Sequence, residues 1–463
     1  MSEALQFDAA LLDKYDTRGP RYTSYPAAPQ FRPMGEEEYR ALVREHREHN
    51  SDPLSVYVHV PFCRTVCYYC GCNKVVTANY RRAEEYLEVL VQELALQSSL
   101  FGLRPRVDQL HFGGGTPTYL NDADLSRLMR ALDTALALER SEEREFSIEI
   151  DPRTTNAARI RHLAGLGFNR LSIGVQDFDP EVQQATNRLQ GVDQTTEVIE
   201  AARAAGFRSI NLDLIYGLPL QTRERFAETL ETVIALRPDR LAVYSYAHLP
   251  DRFKVQRQIR TEDLPSAGEK LALLAMTIER LTEAGYVYIG MDHFALPDDE
   301  LAVALREGTL QRNFQGYATG AGRDLLALGV SAIGRIGPAF AQNHRDIERW
   351  AAEVSLGRIP VAQGLVLDDE DLLRGEIIQA LMCGRRLDVR DIERRYAIEF
   401  ARHFAPELER LVPLADDGLV AVATDTIEVS DRGRLLLRPI AMAFDAYLHA
   451  ARKPTEPRYS RVI

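Results

Sequence analysis

The sequence has few cysteines, no excess of basic residues and no long apolar run. No stretch of 18 apolar residues occurs in the 463 residues, so no transmembrane helix is expected. Lys and Arg total 56 against 68 Asp and Glu, which gives a net charge of −12. This balance argues against a general nucleic-acid-binding protein, because neutralising phosphates requires a basic surface. The five cysteines are not needed as a disulfide scaffold, because a chain of this length buries a large core.

The N-terminal segment, residues 1–19, also lacks the apolar stretch of a signal peptide. We therefore expect a cytoplasmic protein with no membrane partner, whose cysteines stay reduced. The length of 463 residues predicts about two to four domains, or one large domain with additions.

Four of the five cysteines lie together in the segment PFCRTVCYYCGCNK. Cys63, Cys67 and Cys70 have the spacing C-x3-C-x2-C, and Cys72 follows as a fourth thiol that we do not expect to be a ligand. Three thiolates on one short loop are able to hold three irons of a [4Fe-4S] cluster and leave the fourth iron open to a small ligand. A zinc site and a redox-active C-x-x-C pair are the alternatives, but zinc usually takes two separated ligand pairs and a redox pair leaves Cys63 unexplained. Cys383 is interpreted as a small buried apolar residue.

Strand and helix patterns alternate over about residues 54–290. Such alternation favours a parallel sheet covered by helices, and six units predict a partial (β/α)6 barrel of the α/β class. The strand candidates are Ser55–Val60, Val107–Phe112, Phe146–Ile150, Arg170–Val175, Ile210–Ile215 and Leu241–Tyr246. The helix candidates include Ala83–Ser98, Asp124–Leu138, Thr195–Ala205, which Gly206 ends, and Arg223–Leu236.

Distinctive polar or glycine-rich residues follow the predicted strands. In an α/β barrel the carboxyl ends of the strands form the active site, so we expect these residues to lie there. They are the cysteine loop, Gly113–Thr116, Glu149–Pro152, Gln176–Asp177, Asp213 with Tyr216–Pro219, and Tyr246–His248.

The remaining segments predict additions to the barrel. An N-terminal arm, 1–50, contains GPRYTSYP, an extended segment with no obvious core face that either straps the barrel or closes over a substrate cleft. The barrel itself is predicted over 51–295, and 296–366 is expected to be an irregular segment that completes the active-site mouth. Residues 367–463 predict a mostly helical domain whose helices, hairpin and final helix over 433–450 resemble a winged helix. Residues 368–450 hold 17 acidic and 11 basic residues, which disfavours DNA binding.

Together these segments resemble the oxygen-independent coproporphyrinogen III oxidases, a family of the radical S-adenosylmethionine (SAM) superfamily. The resemblance runs over nearly the whole chain, from RYTSYP to the C-terminal SRVI. Its most specific motifs are VHVPFCRTVCYYCGCNK, HFGGGTPTYL, NRLSIGVQDF, NLDLIYGLP, YAHLP, GMDHFALPDDELA and RNFQGY. The related haem chaperones share the three-cysteine motif and the barrel, but their pattern lacks the extra C-x-C cysteine and the RYTSYP arm.

The resemblance implies an anaerobic reaction in which two propionate side chains of coproporphyrinogen III become vinyl groups, giving protoporphyrinogen IX. One electron from a [4Fe-4S] cluster splits SAM into methionine and a 5′-deoxyadenosyl radical, which takes a hydrogen atom from the propionate. The implied partners are the porphyrinogen and an electron donor such as a flavodoxin or ferredoxin, and a monomer is expected. A haem chaperone without oxidase activity and a zinc-bound nucleic-acid protein are the alternative functions.

The resemblance also implies site residues. Cys63, Cys67 and Cys70 hold the cluster, and two SAM molecules bind. The first SAM site consists of Tyr57, Gly114, Glu149 and Ile333, and the second of Tyr69, Gly115, Thr116, Gln176, Arg188, Asp213 and Ala247. Tyr57, Glu149 and Arg21 are the implied catalytic residues. For the substrate carboxylates the candidates are Arg21, Arg312, and His59 or His293 if protonated.

Simpler interpretations exist for several of these residues. Ile333 and Ala247 are also explained as wall residues, and Arg188 as a partner in an ion pair. Glu149 and Asp213 are also explained as partners of a neighbouring Arg or as helix caps.

Overall fold

The computed structural model describes residues 7–314, 316–320, 322–450 and 459. The C-terminal SRVI segment, 460–463, lies outside the described residues, and so does Gln315 of the RNFQGY motif. The chain divides into two compact units. The barrel unit consists of 31–266 and 322–366, and the helical unit consists of the described parts of 1–30, 267–321 and 367–463.

These two units group the chain differently from the predicted segments. The predicted arm divides between the units after Gln30, and the predicted segment 296–366 divides after Ala321. The four-part domain division therefore stays a prediction.

Six parallel strands form the centre of the barrel unit. They are labelled β1 to β6 in the order in which they occur in the chain, and each pairs with the next one. Their apolar side chains alternate into the core, as in β1, where Leu54, Val56 and Val58 are fully buried. The partial (β/α)6 barrel predicted from the alternation is confirmed. The bounds are β1 Leu54–Val60, β2 Arg106–Gly114, β3 Glu145–Ile150, β4 Arg170–Gln176, β5 Ser209–Tyr216 and β6 Arg240–Ser245.

Helices connect successive strands, and side-chain caps set where several of them begin. Asn121, Asn156 and Thr222 each accept a hydrogen bond from the backbone N–H three residues later. The predicted extension of the second helix to Leu138 is wrong, because Ala137 and Leu138 pair with β2 as a short strand. The bounds are α1 Arg81–Ser98, α2 Asp122–Ala135, α3 Ala157–Gly165, α4 Val192–Ala204 and α5 Arg223–Leu236.

The sheet continues beyond β1 through residues that the sequence predicted to be irregular. Strand β7, Leu325–Leu328, pairs in parallel with β1, and three antiparallel strands follow it. The expectation of an irregular segment over 296–366 is therefore wrong where these strands form. Each strand is only four to six residues long, which is too short for a periodic signal. The three strands are β8 Ile333–Ile336, β9 Ala339–Asn343 and β10 Val361–Val366.

A buried carboxylate ties this extension to α1. Glu93 accepts hydrogen bonds from the Gly329 backbone N–H at 2.8 Å, from Asn343 Nδ2 at 2.6 Å and from Trp350 Nε1 at 3.0 Å. Burial raises the pKa of Glu93 to about 7, although these donors oppose the shift. The donors satisfy a group that is costly to bury alone.

The barrel unit has further short elements around this sheet. The strands Phe62–Cys63 and Val75–Val76 pair in parallel and close the cysteine loop at its base. The other elements are the strand Arg32–Pro33 and the helices Glu36–His49, Pro180–Ala185 and Ile347–Ser355.

The helical unit contains the predicted hairpin and a final helical region that is not one helix. Strands Val420–Val422 and Thr426–Val429 are antiparallel, and the second pairs with Arg386–Asp388. The single helix predicted over 433–450 is wrong, because Asp445 accepts from the backbone N–H groups of Tyr447 and Leu448 and so begins a new helix. The α-helices are Ala9–Lys14, Ala267–Glu283, Glu300–Glu307, Asp369–Gln379, Val389–Tyr396, Phe400–His403, Ala405–Asp416, Leu437–Met442 and Ala446–Ala450, and the other strands are Val287–Gly290, His293–Ala295, Gln311–Asn313 and Gly316–Ala318.

The RYTSYP segment is part of the core of the helical unit. Tyr22 and Tyr25 are both buried there. The Tyr22 hydroxyl donates to Asp445 Oδ2 at 3.0 Å, and the Tyr25 hydroxyl accepts from the Ala446 backbone N–H at 3.2 Å. The expectation that this segment has no core face is therefore wrong. Among the described helices, none combines the length and the apolar character that crossing a membrane requires.

Candidate active site

A cavity of about 290 Å³ lies at the carboxyl ends of the central strands of the barrel unit. Loops and strand ends that are far apart in the sequence line it together, as expected for an α/β barrel. Tyr57, Ala247 and Ile333 do not line it. The predicted site residues that do line it are Cys63, Cys67, Cys70, Tyr69, Gly114, Gly115, Thr116, Glu149, Gln176, Arg188 and Asp213.

The three thiols of the C-x3-C-x2-C motif have hydrogen-bond donors beside them. Cys67 Sγ accepts from Arg188 Nη1 at 3.5 Å and from Arg153 Nη2 at 3.7 Å. Cys70 Sγ accepts from the Cys72 backbone N–H at 3.5 Å. Donors of this kind stabilise thiolates, which are the ligands that an iron–sulfur cluster requires. The donor set therefore fits a [4Fe-4S] cluster on this loop.

Cys72 interacts with one of these thiols directly. A hydrogen bond from the Cys72 thiol lowers the pKa of Cys70 to about 6, whereas the same interaction raises the pKa of Cys72. Burial raises the pKa of Cys63 to about 11, against a hydrogen bond from Thr116. The Cys72 thiol is thus the donor and Cys70 the acceptor in this pair. Within the described residues, no three His, Cys, Asp or Glu side chains form a group that could hold a single metal ion.

The Gly113–Gly114–Gly115 run has no space for side chains. A Cβ atom at Gly113 would lie 2.9 Å from Glu149 Oε1, and one at Gly114 would lie 2.8 Å from the His59 ring. A Cβ atom at Gly115 would lie 2.6 Å from the Pro61 carbonyl oxygen. Gly114 also has a φ of +118°, which side-chain-bearing residues rarely adopt. The run lets β2 approach both the cysteine loop and the carboxylate on β3.

Replacing Gly115 by Ala is expected to destabilise the protein by about 1–3 kcal/mol, because the new methyl group meets a backbone oxygen. The strand cannot move away easily, since the Gly115 N–H donates to the Val60 oxygen at 2.9 Å. Gly165→Ala is the matched control, because no atom beyond its chain neighbours and its own helix backbone lies within 4 Å of where the methyl group would stand. Urea unfolding of both variants measures the difference. Equal unfolding midpoints would show that the loop tolerates the methyl group.

Glu149 and Asp213 line the cavity, and each contacts polar groups of neighbouring strands. Glu149 Oε1 is 3.2 Å from His111 Nε2, and its Oε2 accepts from the Gly114 N–H at 3.3 Å. Asp213 accepts from Asn211 Nδ2 at 2.8 Å and from Ser172 Oγ at 3.0 Å. Burial and the nearby charge of Glu149 raise the pKa of Asp213 to about 6. Neither an Arg partner nor a helix-capping bond of these two side chains occurs among the described contacts.

Tyr57 does not line the cavity but contacts the cysteine loop through His59. The ring of His59 donates from Nε2 to the Asn73 oxygen at 3.0 Å, so its Nδ1 accepts from the Tyr57 hydroxyl at 3.0 Å. Burial lowers the pKa of His59, and the ring is therefore neutral at pH 7. His59 does not fit the role of a cation for the substrate carboxylates. The ring of Tyr57 stacks on His111 with 5.8 Å between the ring centroids.

Arg188 belongs to a buried charge network that sequence reasoning recognised only in part. Its Nη1 lies 3.3 Å from Asp151 Oδ2, and its Nη2 donates to the Gly174 oxygen. Arg153 Nη2 donates to the same Asp151 oxygen at 2.6 Å. Burial raises the pKa of Asp151, but the positive charges of Arg188 and Arg153 lower it by a larger amount. The pKa of Asp151 therefore lies below its ordinary value.

Arg153, Ser172 and Tyr244 also line the cavity and were not predicted from the sequence. Asp151 was expected at the end of a strand, without a role. The Asp-Pro-Arg sequence directly after β3 was the available signal, because a polar cluster at a strand end marks the cavity edge. Ser172 and Tyr244 lie within β4 and β6 and carry no comparable signal.

Ala247 and Ile333 have other surroundings. The Ala247 oxygen accepts from Gln256 Nε2 at 3.2 Å, and the same nitrogen donates to the Tyr69 oxygen at 2.9 Å. Gln256 therefore links Ala247 to the cysteine loop. Ile333 is the first residue of β8 and pairs with Gln342.

In the helical unit, Arg21 and Arg312 form a group with Arg438. Arg21 makes an ion pair with Asp292, and its oxygen accepts from Arg312 Nε at 3.0 Å. Arg312 is only 4% exposed, and its buried Nη1 has no hydrogen-bond partner among the described residues. Burial and the charges of Arg21 and Arg312 lower the pKa of Arg438 to about 9. This group holds more positive than negative charge.

Comparisons with known proteins agree with the cysteine loop and the barrel. Residues 57–233 match the Radical SAM superfamily, and residues 367–436 match the HemN C-terminal domain. The oxygen-independent coproporphyrinogen III oxidase of Pseudomonas aeruginosa is 49% identical over 467 residues, which cover 100% of both chains. The Escherichia coli enzyme of the same name is 48% identical and matches over 100% of this chain and 99% of its own.

A solved structure is similar over the same length. Coproporphyrinogen III oxidase (HemN) from Escherichia coli, described as a radical SAM enzyme, superposes with a TM-score of 0.91 and 47% identity. The match covers 96% of this chain and 100% of that chain. The fold and the cysteine loop thus define a radical SAM protein. The chain belongs to the family of oxygen-independent coproporphyrinogen III oxidases.

This membership decides between the alternative functions. The full-length relatives carry the name of an oxidase, which favours the oxidase over the haem chaperone. The Radical SAM match over the cysteine loop and barrel likewise favours an iron–sulfur cluster over a zinc site.

Proposed function

We propose that this chain catalyses the oxygen-independent oxidation of coproporphyrinogen III to protoporphyrinogen IX, in which two propionates lose CO2 and become vinyl groups. The observation that carries this proposal is a cavity lined by the three thiols of the C-x3-C-x2-C motif, by Gly114, Gly115 and Thr116 and by the carboxylates of Glu149 and Asp213. In a chain of this family, such a cavity is suited to a cluster with SAM beside it.

Cys63, Cys67 and Cys70 are the proposed ligands of the [4Fe-4S] cluster. When bound, the cluster supplies the electron for reductive cleavage of SAM. Arg153 and Arg188 stabilise the Cys67 thiolate, and the Cys72 N–H does the same for Cys70. Tyr57 is proposed as a positioning residue, since it acts on the loop through His59 and the Asn73 oxygen.

Two SAM molecules are proposed, with different residues around each. Glu149, whose side chain is 42% exposed, offers a carboxylate to the amino or hydroxyl groups of the first SAM beside Gly114. Asp213 and Arg188 offer an acceptor and a cation to the second. The remaining proposed contacts are Ile333 for the first SAM and Tyr69, Gly115, Thr116, Gln176 and Ala247 for the second.

Arg21, Arg312 and Arg438 are proposed to bind a carboxylate of the substrate. The porphyrinogen carries four carboxylates, whereas the chain has a net charge of −12, so substrate binding needs a local excess of cations. Three guanidinium groups, of which Arg21 pairs with Asp292, provide such an excess in the helical unit. His293 is a further candidate there, and it packs edge-on against Tyr317 with 5.2 Å between the ring centroids.

Arg312→Gln is expected to raise the KM for coproporphyrinogen III roughly tenfold, because a charge-assisted hydrogen bond contributes about 1.5–3 kcal/mol. SAM cleavage in the absence of substrate is expected to stay within about twofold of the wild type, since SAM contacts other residues. Arg312→Lys keeps the charge and should recover part of the affinity. Arg390→Gln is the control, because this side chain is 76% exposed in the same unit. An unchanged KM in Arg312→Gln removes this residue from the substrate site.

The proposal includes an electron-transfer protein as donor, a monomeric enzyme and a cytoplasmic setting. A reducing compartment suits the chain, because all five cysteines are free thiols.

The direct test is an anaerobic assay with the reconstituted protein, SAM, dithionite and coproporphyrinogen III. We expect vinyl-bearing porphyrin and 5′-deoxyadenosine to form together, and the mass of the product to fall by two formic acid equivalents. Tight haem binding without any conversion of the porphyrinogen would overturn the proposal in favour of the chaperone.

A further inference from the structure

The cysteine loop borders a second, open depression of about 650 Å³ in the barrel unit. Cys70, Cys72 and Lys74 line both this depression and the cavity described above. The segment Cys70–Lys74 is therefore a thin wall with the proposed SAM cavity on one side and the open depression on the other.

Basic side chains dominate the depression. Lys74, Arg252, Lys254 and Arg345 line it, and no Asp or Glu is among its lining residues. Arg252, Lys254 and Arg345 are exposed, and Lys74 Nζ donates to the Cys70 oxygen at 3.2 Å. Such a cluster contrasts with the net charge of −12 of the whole chain. It makes a local positive potential that attracts anionic partners.

The three segments that carry these charges are held against one another. Asn73 Nδ2 donates to the Arg345 oxygen at 3.0 Å. A Cβ atom at Gly71 would lie 3.1 Å from the Phe253 ring, so the glycine lets the two segments pack closely. Gln256 Nε2 donates hydrogen bonds to both the Tyr69 oxygen and the Ala247 oxygen. The basic side chains therefore belong to one continuous surface.

We propose that this depression docks an acidic one-electron carrier protein and that the electron enters through the segment Cys70–Lys74. The inference rests on the proposed function, which consumes one electron for each SAM that is cleaved. The reduced carrier loses one electron and the bound cluster gains it, and no proton or group is transferred. Cys70, one of the proposed cluster ligands, lines the depression itself, so an electron from a carrier seated there would have only this segment to cross, which is why we favour a protein partner over the substrate here.

The test compares two electron donors on one pair of variants. Arg252→Glu/Lys254→Glu reverses two charges in the depression, and Arg127→Glu/Arg130→Glu makes the same change at exposed positions of α2. The probes are reduced flavodoxin, an acidic one-electron carrier, and dithionite, a small reductant that needs no docking surface. Binding of oxidised flavodoxin to each protein is measured separately by calorimetry, without turnover.

For the depression variant, we expect the KM for flavodoxin and its Kd to rise roughly tenfold or more at low ionic strength, with dithionite-driven turnover within about twofold of the wild type. Added salt should weaken flavodoxin binding to the wild type and so reduce the difference in Kd between the wild type and the depression variant. Flavodoxin binding equal to that of the α2 control would overturn the proposal, and so would an equal loss with both donors. Failure of the proposed function is distinct, because the wild type would then convert no porphyrinogen with dithionite.

Discussion

Serine at position 63, 67 or 70 is expected to abolish both the cluster and SAM cleavage. Each of these thiols lines the cavity, and a serine hydroxyl does not replace a thiolate as a ligand of iron. With three proposed ligands, the loss of any one would leave a second iron without protein coordination. We expect turnover to fall to the background of the assay in Cys63→Ser, Cys67→Ser and Cys70→Ser.

Iron and sulfide content after anaerobic reconstitution, the visible absorbance of the cluster and 5′-deoxyadenosine formation measure this effect. Cys72→Ser is the matched control, because Cys72 lies on the same loop and donates to Cys70. It should keep its cluster, with at most reduced cluster stability. Full iron content in any of the first three variants would refute the ligand assignment, and complete loss of iron in Cys72→Ser would show that Cys72 is also a ligand.

Neutral replacements of Glu149 and Asp213 are expected to have the second-largest effect. Glu149→Gln and Asp213→Asn should each weaken SAM binding or turnover by roughly 1.5–3 kcal/mol, which is about ten- to more than hundredfold. Both carboxylates line the cavity, and their present partners are a histidine, a hydroxyl, an amide and a backbone N–H. Cluster content should stay unchanged.

The stability of Asp213→Asn is expected to move in the opposite direction from its SAM affinity. Asp213 has a pKa of about 6 in the folded chain, against an ordinary value of 3.8. Between about pH 4 and pH 6 the folded chain keeps a proton that the unfolded chain has lost, so ionisation of Asp213 lowers the free energy of unfolding as the pH rises. Asparagine avoids this cost, and at pH 7 the variant should be as stable as the wild type or more stable, by at most about 3 kcal/mol.

Anaerobic SAM titration beside urea unfolding at pH 4.5 and pH 7 distinguishes the two effects. Glu200→Gln on the exposed face of α4 is the control for a neutralised carboxylate. If Asp213→Asn loses stability at pH 7 while its SAM affinity is unchanged, then Asp213 serves the fold and does not bind SAM.

The strand order and the cysteine loop were predictable from the sequence because both depend on local patterns. Each of the strands β1–β6 is a short run of β-branched, aliphatic or aromatic residues, and most of them are separated by a helical pattern with a cap such as Asn121 or Thr222. The C-x3-C-x2-C spacing likewise lies within one loop. Strand β7 was missed because a run of four residues has no period from which strand and helix can be told apart.

The composition of the cavity was predictable only where a residue stood at a strand end or in a motif. Cys67, Gly115 and Asp213 were expected at the site and line it. Arg153 was missed because its interaction with Cys67 joins residues 86 positions apart, although the Asp-Pro-Arg sequence places it directly after a strand. For Tyr57, strand alternation predicts a side chain that points into the barrel. It does not predict that the Tyr57 hydroxyl donates a hydrogen bond to His59.

By itself, the sequence determined the fold class, the cluster loop and the family, since each is specified by neighbouring residues along the chain. Only the tertiary structure decided which atoms oppose one another: Gly115 against the Pro61 oxygen, Arg188 between Cys67 and Asp151, and Tyr22 within a core instead of on an exposed strap. The physical reason is that burial, hydrogen bonding and pKa depend on distances between residues far apart in the chain. Those distances exist only after the strands have packed.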